Sequence, residues 1–232
     1  MITPPSGRGG PQFIPRPDDA RLGGPPPWNH VPEDRRRIDL DDLVGRLGRY
    51  EAGFADRGLQ VRSKTSAVLI ALYERAGEPT VLLTRRSPRM RSHTHEVAFP
   101  GGRRDPDDPD LVATALREAE EEVALDRAGV TIVGQLDRFV TGGSGSLVHP
   151  FVGVLDAPPA RLRPNPAEVE AILEVSLHEL LLDEVWREEL WARGGPTPWP
   201  VTFFELRGDT IWGATGNMLR QLLTLATDPV GA

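Results

Sequence analysis

Residues 101–125 read GGRRDPDDPDLVATALREAEEEVAL, and this stretch decides how the rest of the chain is understood. From Leu111 onward it has helical periodicity, with Val112, Leu116, Ala119 and Val123 along one apolar face. Glu118, Glu121 and Glu122 stand at i, i+3 and i+4, so at about 100° per residue they share a second face, while Glu120 points elsewhere. Like charges at that spacing repel and weaken a helix. A solvated acidic surface is one reading of such a triplet. A site for a hard divalent cation, which takes oxygen ligands and bridges carboxylates to phosphates, is the other. Gly101-Gly102 in front of the helix allows a sharp turn, and Arg117 is placed to reach a neighbouring carboxylate.

The upstream sequence favours the second reading. Arg85, Arg86, Arg89 and Arg91 crowd into seven positions, and guanidinium forks suit phosphate oxygens. Arg103 and Arg104 add to them. A cationic rim beside an acidic helix matches a diphosphate substrate. The overall numbers conceal this local contrast. The chain has 232 residues, 27 Lys+Arg against 34 Asp+Glu, a formal net charge of −7 and no cysteine. Lys64 is its single lysine. The acidic total argues against a nucleic-acid polymer as partner. The missing cysteine excludes disulfides, cysteine–zinc sites and a thiol nucleophile. No signal peptide or membrane-length apolar run is visible, so a soluble, cytoplasmic protein with no membrane partner is expected.

Around this centre the chain divides in two. Residues 1–36 are rich in proline and glycine and are expected to form an extended or disordered leader that Phe13, Ile14 or Trp28 could pin to the body. Residues 37–232 are expected to form one domain. A helix capped by Asp39 carries Leu40, Leu43, Val44 and Leu47 on one face. Strands are expected at 66–73, 80–84, 130–136, 148–155, 171–177 and 201–206, with a turn at Glu78-Pro79 and a glycine-rich loop at 141–146. Helices are expected at 111–125, 180–191 and 214–225. The irregular alternation implies an α/β fold with a mixed sheet between helical layers. Trp186, Trp191, Trp199 and Trp212 read as core, with a homodimer surface as the alternative.

Residues 117–125 resemble the second half of the signature of the Nudix hydrolases, with Ala124 where glycine is usual. The first half is one residue longer than the general pattern, and an aspartate such as Asp108 replaces the usual glutamate. The branch similar to coenzyme A pyrophosphatases carries such an insertion. That branch also has an upstream motif, matched here by Leu82-Leu83-Thr84-Arg85-Arg86-Ser87, Arg91 and Phe99-Pro100-Gly101-Gly102. His95 occupies its glycine position. Weaker likeness reaches Ile211-Trp212-Gly213-Ala214-Thr215.

The resemblance implies an α/β/α sandwich with a curved mixed sheet, and hydrolysis of a diphosphate linkage by water with Mg²⁺ or Mn²⁺. Glu118, Glu121, Glu122 and the Gly102 carbonyl would hold metal, and Arg117 would orient a box glutamate. The general base would be a box glutamate or Glu168 from a later loop. Arg86, Arg91 and His95 would meet the substrate, whereas His149 reads as structural. Coenzyme A or an acyl derivative is the first expectation for that substrate. ADP-ribose, NADH or another nucleoside diphosphate derivative is the second, motivated by His95 and the glycine-rich loop. A catalytically silent nucleotide-binding module is a third reading, of another class.

Overall fold

The computed structural model describes residues 7–55, 58–62, 64–90, 93–192 and 198–228. In chain order the regular elements are β1 (Arg21–Leu22), α1 (Leu40–Leu47), β2 (Phe54–Ala55), β3 (Lys64–Arg75), β4 (Glu78–Arg86), β5 (Val97–Ala98), β6 (Gly101–Arg103) and α2 (Leu111–Val123). These are followed by β7 (Val130–Gln135), β8 (Arg138–Val140), β9 (Ser146–Leu155), β10 (Val169–Ser176), α3 (Leu177–Leu180), β11 (Trp186–Trp191), β12 (Trp199–Glu205), β13 (Thr210–Trp212) and α4 (Gly213–Thr227). Three short 3-10 turns complete the set, one of them at Pro27–His30.

Among the described residues the strands form two sheets. The larger is mixed, with β3 parallel to β9 and β2 parallel to β8. Its main path runs β10-β4-β3-β9-β8-β2, with β5, β6 and β7 attached to β4, β3 and β9. Apolar residues on both sides of β3 explain its central place, because alternate side chains of a strand point to opposite faces. Ala67, Leu69, Ala71 and Tyr73 pack with Ala115, Ala119 and Val123 of α2. Ile70 and Leu72 join the other core, with Leu43 and Leu47 of α1 and Leu219 and Leu222 of α4. The result is the expected helix–sheet–helix sandwich. The smaller sheet is antiparallel, in the order β1-β11-β12-β13. Among the described residues no helix is long and apolar enough to cross a membrane.

Several boundaries differ from the sequence reading. The expected helix at 180–191 is a short α3 followed by strand β11. Trp186 pairs with Phe204 and Trp191 with Trp199, and tertiary pairing overrides a local helical pattern. The turn before β4 is Ala76-Gly77, both at positive φ, while Pro79 lies within the strand opposite Glu74. Two φ-positive central residues make the tight hairpin whose twist suits the flanking strands.

Residues 7–36 are extended apart from two 3-10 turns at Pro27–His30 and Glu33–Arg35, and they are packed against the body. Trp28 is wholly buried, its Nε1 donating to Leu181 O at 3.2 Å, and its ring lies against Trp186 and Phe204. Arg36 is buried too, bonded to Leu181 O at 2.7 Å and Asp183 at 2.6 Å. Phe13 instead is exposed. Trp186 and Trp191 belong to the core, while Trp199 and Trp212 are half-buried.

Candidate active site

The site is assembled where β4, β6 and α2 meet. Asp110 caps α2, accepting from Ala113 N at 2.8 Å. The helix ends at Val123 with Ala124 in the left-handed region (φ 56°), and Leu125 N donates back to Ala119 O. This is the close of a Schellman-type cap, which glycine adopts without steric cost. The glycine pair in front of the helix is required by close approach. A Cβ on Gly101 would stand 2.5 Å from Ala67 O, and one on Gly102 would stand 2.5 Å from the Glu118 carboxylate.

Asp108 and Arg117 form the brace of the site. Arg117 Nε and Nη2 bind Asp108 at 2.9 and 3.0 Å, and Nη2 also bonds Arg103 O at 3.1 Å. Asp108 is buried and accepts further from Asp105 N and Thr114 Oγ1. The Arg117 guanidinium, helped by those bonds, holds the Asp108 carboxyl well below the usual carboxylate range. Arg117 then reaches two box glutamates, Glu118 and Glu121, each at 3.0 Å.

Glu122 is buried, and burial pushes its carboxyl up to about 8 against the opposing field of Arg86. Glu118 and Glu168 push it the same way, and a backbone hydrogen bond from Gly101 opposes them. Glu118 is raised chiefly by burial, with Arg117 opposing and Glu121 and Glu168 adding to the rise. Glu168 therefore shares one electrostatic environment with Glu118 and Glu122. Its loop is fixed on both sides. Asn165 N bonds Glu122 O at 2.8 Å, satisfying a carbonyl at the end of α2, and Ser87 N bonds Glu168 O at 2.8 Å.

Among the described residues no group of three or more His, Cys, Asp or Glu side chains is already closed around a point that could hold a metal ion. Glu121 is drawn toward Arg117 instead. The donor chemistry nevertheless fits a hard divalent cation. Carboxylate oxygens are its preferred ligands, and burying several carboxylates together without one is costly. Arg86 Nε is likewise buried without a hydrogen-bond partner, an orphan donor beside Glu122.

A cavity of about 510 Å³ opens from Arg86, Gly101 and Gly102. Its polar lining includes His93 and Glu96, and its apolar, largely aromatic wall includes Phe139, Trp199, Trp212 and Met218. The glycine-rich segment 141–144 contributes a third side. Trp212 is stacked on Phe203 and tilted against Trp191, so the aromatic wall has firm backing.

The other expected residues are distributed as follows. His95 has φ 60°, which accounts for glycine at that motif position, and its Nδ1 lies 2.8 Å from Glu170 Oε2. It is not part of the cavity lining. Arg85 is engaged by Asp209 through two bonds of 2.8 and 2.6 Å. Arg104 bonds the carbonyls of Asp108 and Pro109, and Arg103 lines the cavity. Arg91 lies outside the described residues. His149 is lowered by burial and bonds Gln135.

The sequence reading missed His93. It lines the cavity 2.9 Å from Glu96 Oε2, and that bond raises its pKa. The i, i+3 spacing of His93 and Glu96 was a signal for the pair, but not for its place in the wall.

The NUDIX domain pattern matches residues 63–193, more than half of the chain, which takes in the carboxylate–arginine centre and Phe139 of the cavity lining. The chain belongs to the Nudix hydrolase family. It is 41% identical over 186 residues to the uncharacterized Nudix hydrolase NudL of Photorhabdus laumondii, covering 80% of this chain and 96% of that protein. The corresponding protein of Yersinia enterocolitica is 36% identical over 192 residues, covering 78% and 96%. Among solved structures, a MutT/nudix family protein from Enterococcus faecalis has a TM-score of 0.45 at 13% identity, covering 82% of this chain and 70% of its own. The Nudix pattern ends before β12, β13 and α4, so Trp199, Trp212 and Met218 of the aromatic wall lie beyond it.

Proposed function

We propose that this Nudix hydrolase cleaves the diphosphate linkage of coenzyme A or acyl-coenzyme A, giving 3′,5′-ADP and (acyl-)4′-phosphopantetheine. The observation that carries the reading is the lining of the cavity. It combines Arg86, which stands beside buried carboxylates and suits a diphosphate, with Phe139, Trp199, Trp212 and Met218, which suit a long, weakly polar arm. The turning of His95 toward Glu170 supports the same reading, because its side chain is not in the space such an arm needs.

Glu118, Glu121, Glu122 and the Gly102 carbonyl would hold Mg²⁺ or Mn²⁺. What that ion supplies when bound is neutralisation of diphosphate charge and a more acidic water. Arg117, fixed by Asp108, sets the directions of Glu118 and Glu121. Arg86 offers its unpartnered Nε and the rest of its fork to phosphate oxygens, with Arg91 as the second such cation. Glu168 takes the proton from the attacking water.

Initial rates on coenzyme A, ADP-ribose and NADH with Mg²⁺ test the assignment. Preference for coenzyme A is expected, and a clear preference for either of the others would replace it. Glu122→Gln should abolish turnover while preserving the thermal transition. Tight binding of a nucleoside diphosphate by a wild type with no turnover at all would instead support a silent module.

A further inference from the structure

The leader meets the active site at one buried amide. Residues 9–12 lie along the turn between β12 and β13. Gly9 N donates to Leu206 O at 2.7 Å and Gly10 N to Thr210 Oγ1 at 3.1 Å. A Cβ on Gly10 would stand 2.5 Å from Gly208 O, so the approach is backbone to backbone. Gln12, only 7% exposed, then uses its whole side-chain amide. Nε2 donates to Asp209 Oδ1 at 2.8 Å and to His95 O at 3.1 Å, and Oε1 accepts from Thr210 N at 2.9 Å.

These partners belong to two different segments that both contribute to the cavity lining. His95 closes the loop that leaves β4 after Arg86 and carries His93 and Glu96. The loop returns through His95 N to Arg86 O at 3.1 Å and Arg86 N to Glu96 O at 2.9 Å. Thr210 begins β13, which ends at Trp212 in the aromatic wall. Asp209 holds Arg85, the residue before Arg86.

We propose that Gln12 is a positioning residue for the substrate: its amide fixes the spacing between the arginine–histidine wall and the aromatic wall. The leader is thereby part of the enzyme's binding apparatus. A donor pair ending on two different segments acts as a strut, and an interior packed to crystal density transmits its loss to both. The inference rests on the reading that substrate occupies this cavity, but not on which nucleoside diphosphate derivative it is.

The experiment compares Gln12→Ala and Gln12→Asn with Arg16→Ala in the full-length protein. Arg16 ties the same leader to Glu189 at 2.8 Å, away from the cavity lining. The substrate is whichever of coenzyme A, ADP-ribose or NADH is turned over. Gln12→Ala should raise KM on the order of 10-fold with kcat changed by less than about threefold, within the range expected when a substrate wall is misplaced by under an ångström. Gln12→Asn keeps the amide on a shorter arm and should recover part of that loss. Arg16→Ala should lower Tm with KM unchanged.

Equal KM for wild type and Gln12→Ala, with Tm lowered as in Arg16→Ala, overturns the proposal and leaves Gln12 a purely structural residue. If Gln12→Ala does not fold, the same comparison is read from Gln12→Asn. Absence of turnover on all three substrates would count against the proposed function alone. Calorimetric Kd for ADP-ribose then decides Gln12 by the same rule.

Discussion

Replacing Ala124 with glycine should stabilise the protein without touching its chemistry. Ala124 ends α2 at φ 56° and ψ 34°, and its N–H closes the helix on Glu120 O at 2.9 Å. An L-residue with a Cβ is disfavoured in this region by about 1–2 kcal/mol, from the clash with the following carbonyl. Glycine escapes that cost but gains freedom in the unfolded chain, which offsets about 0.5–1 kcal/mol. The partly buried methyl group is a small further loss. The net expectation is a gain of about 0.5–1 kcal/mol, or a rise in Tm of roughly 1–4 °C for a domain of this size. Urea denaturation should show the midpoint rising with an unchanged m-value. kcat and KM should stay at wild-type values, since the helix end keeps its path. A fall in stability, or no change within about 0.2 kcal/mol, would refute the assignment of steric strain to this cap.

Three further outcomes follow from the same geometry. Trp28→Ala should cost about 3–5 kcal/mol, because it empties a wholly buried aromatic site and removes one of the two hydrogen bonds to Leu181 O; denaturant titration measures it, and a cost under about 1 kcal/mol would mean the leader is not docked. Asp108 is depressed in the folded state, so its contribution is complete above the unfolded carboxylate value near ~4 and is lost as pH falls below it. Between about pH 5 and pH 2 the stability of the wild type should therefore decline more steeply than that of Asp108→Asn, as followed by urea titration at each pH. Glu168→Gln should lower kcat by about 10²–10⁴ with little change in KM if it takes the proton, and an undiminished kcat would return that role to a box glutamate.

Much of the site was legible because its chemistry depends on local spacing. The spacing of Glu118, Glu121 and Glu122 could be read because they lie on one helix, α2, and the aspartate in the lengthened segment is the anchor of Arg117. The glycine pair could be read as a sharp turn, while the reason for each glycine, a carbonyl and a carboxylate within 2.6 Å, required the neighbouring strand and helix. The glycine that the motif has where this chain has His95 is explained by a backbone angle that no composition or period reports.

What the sequence by itself determined is the set of short-range consequences: the longer strands of the large sheet, the acidic helix, and the arginine-rich approach to it. These follow from side-chain periodicity and from residues fewer than about ten positions apart. Tertiary structure decided whatever depends on distant pairing. Residues 186–191 became a strand because 199–205 lies beside them. The proline-rich leader became ordered because Trp28 and Gln12 find partners more than 80 residues away. Trp199 and Trp212 reach the cavity only because the second sheet is docked beside it. Hydrogen bonds and packing of that range gain their free energy only after chain entropy has been spent on closing long loops, so no local pattern announces them.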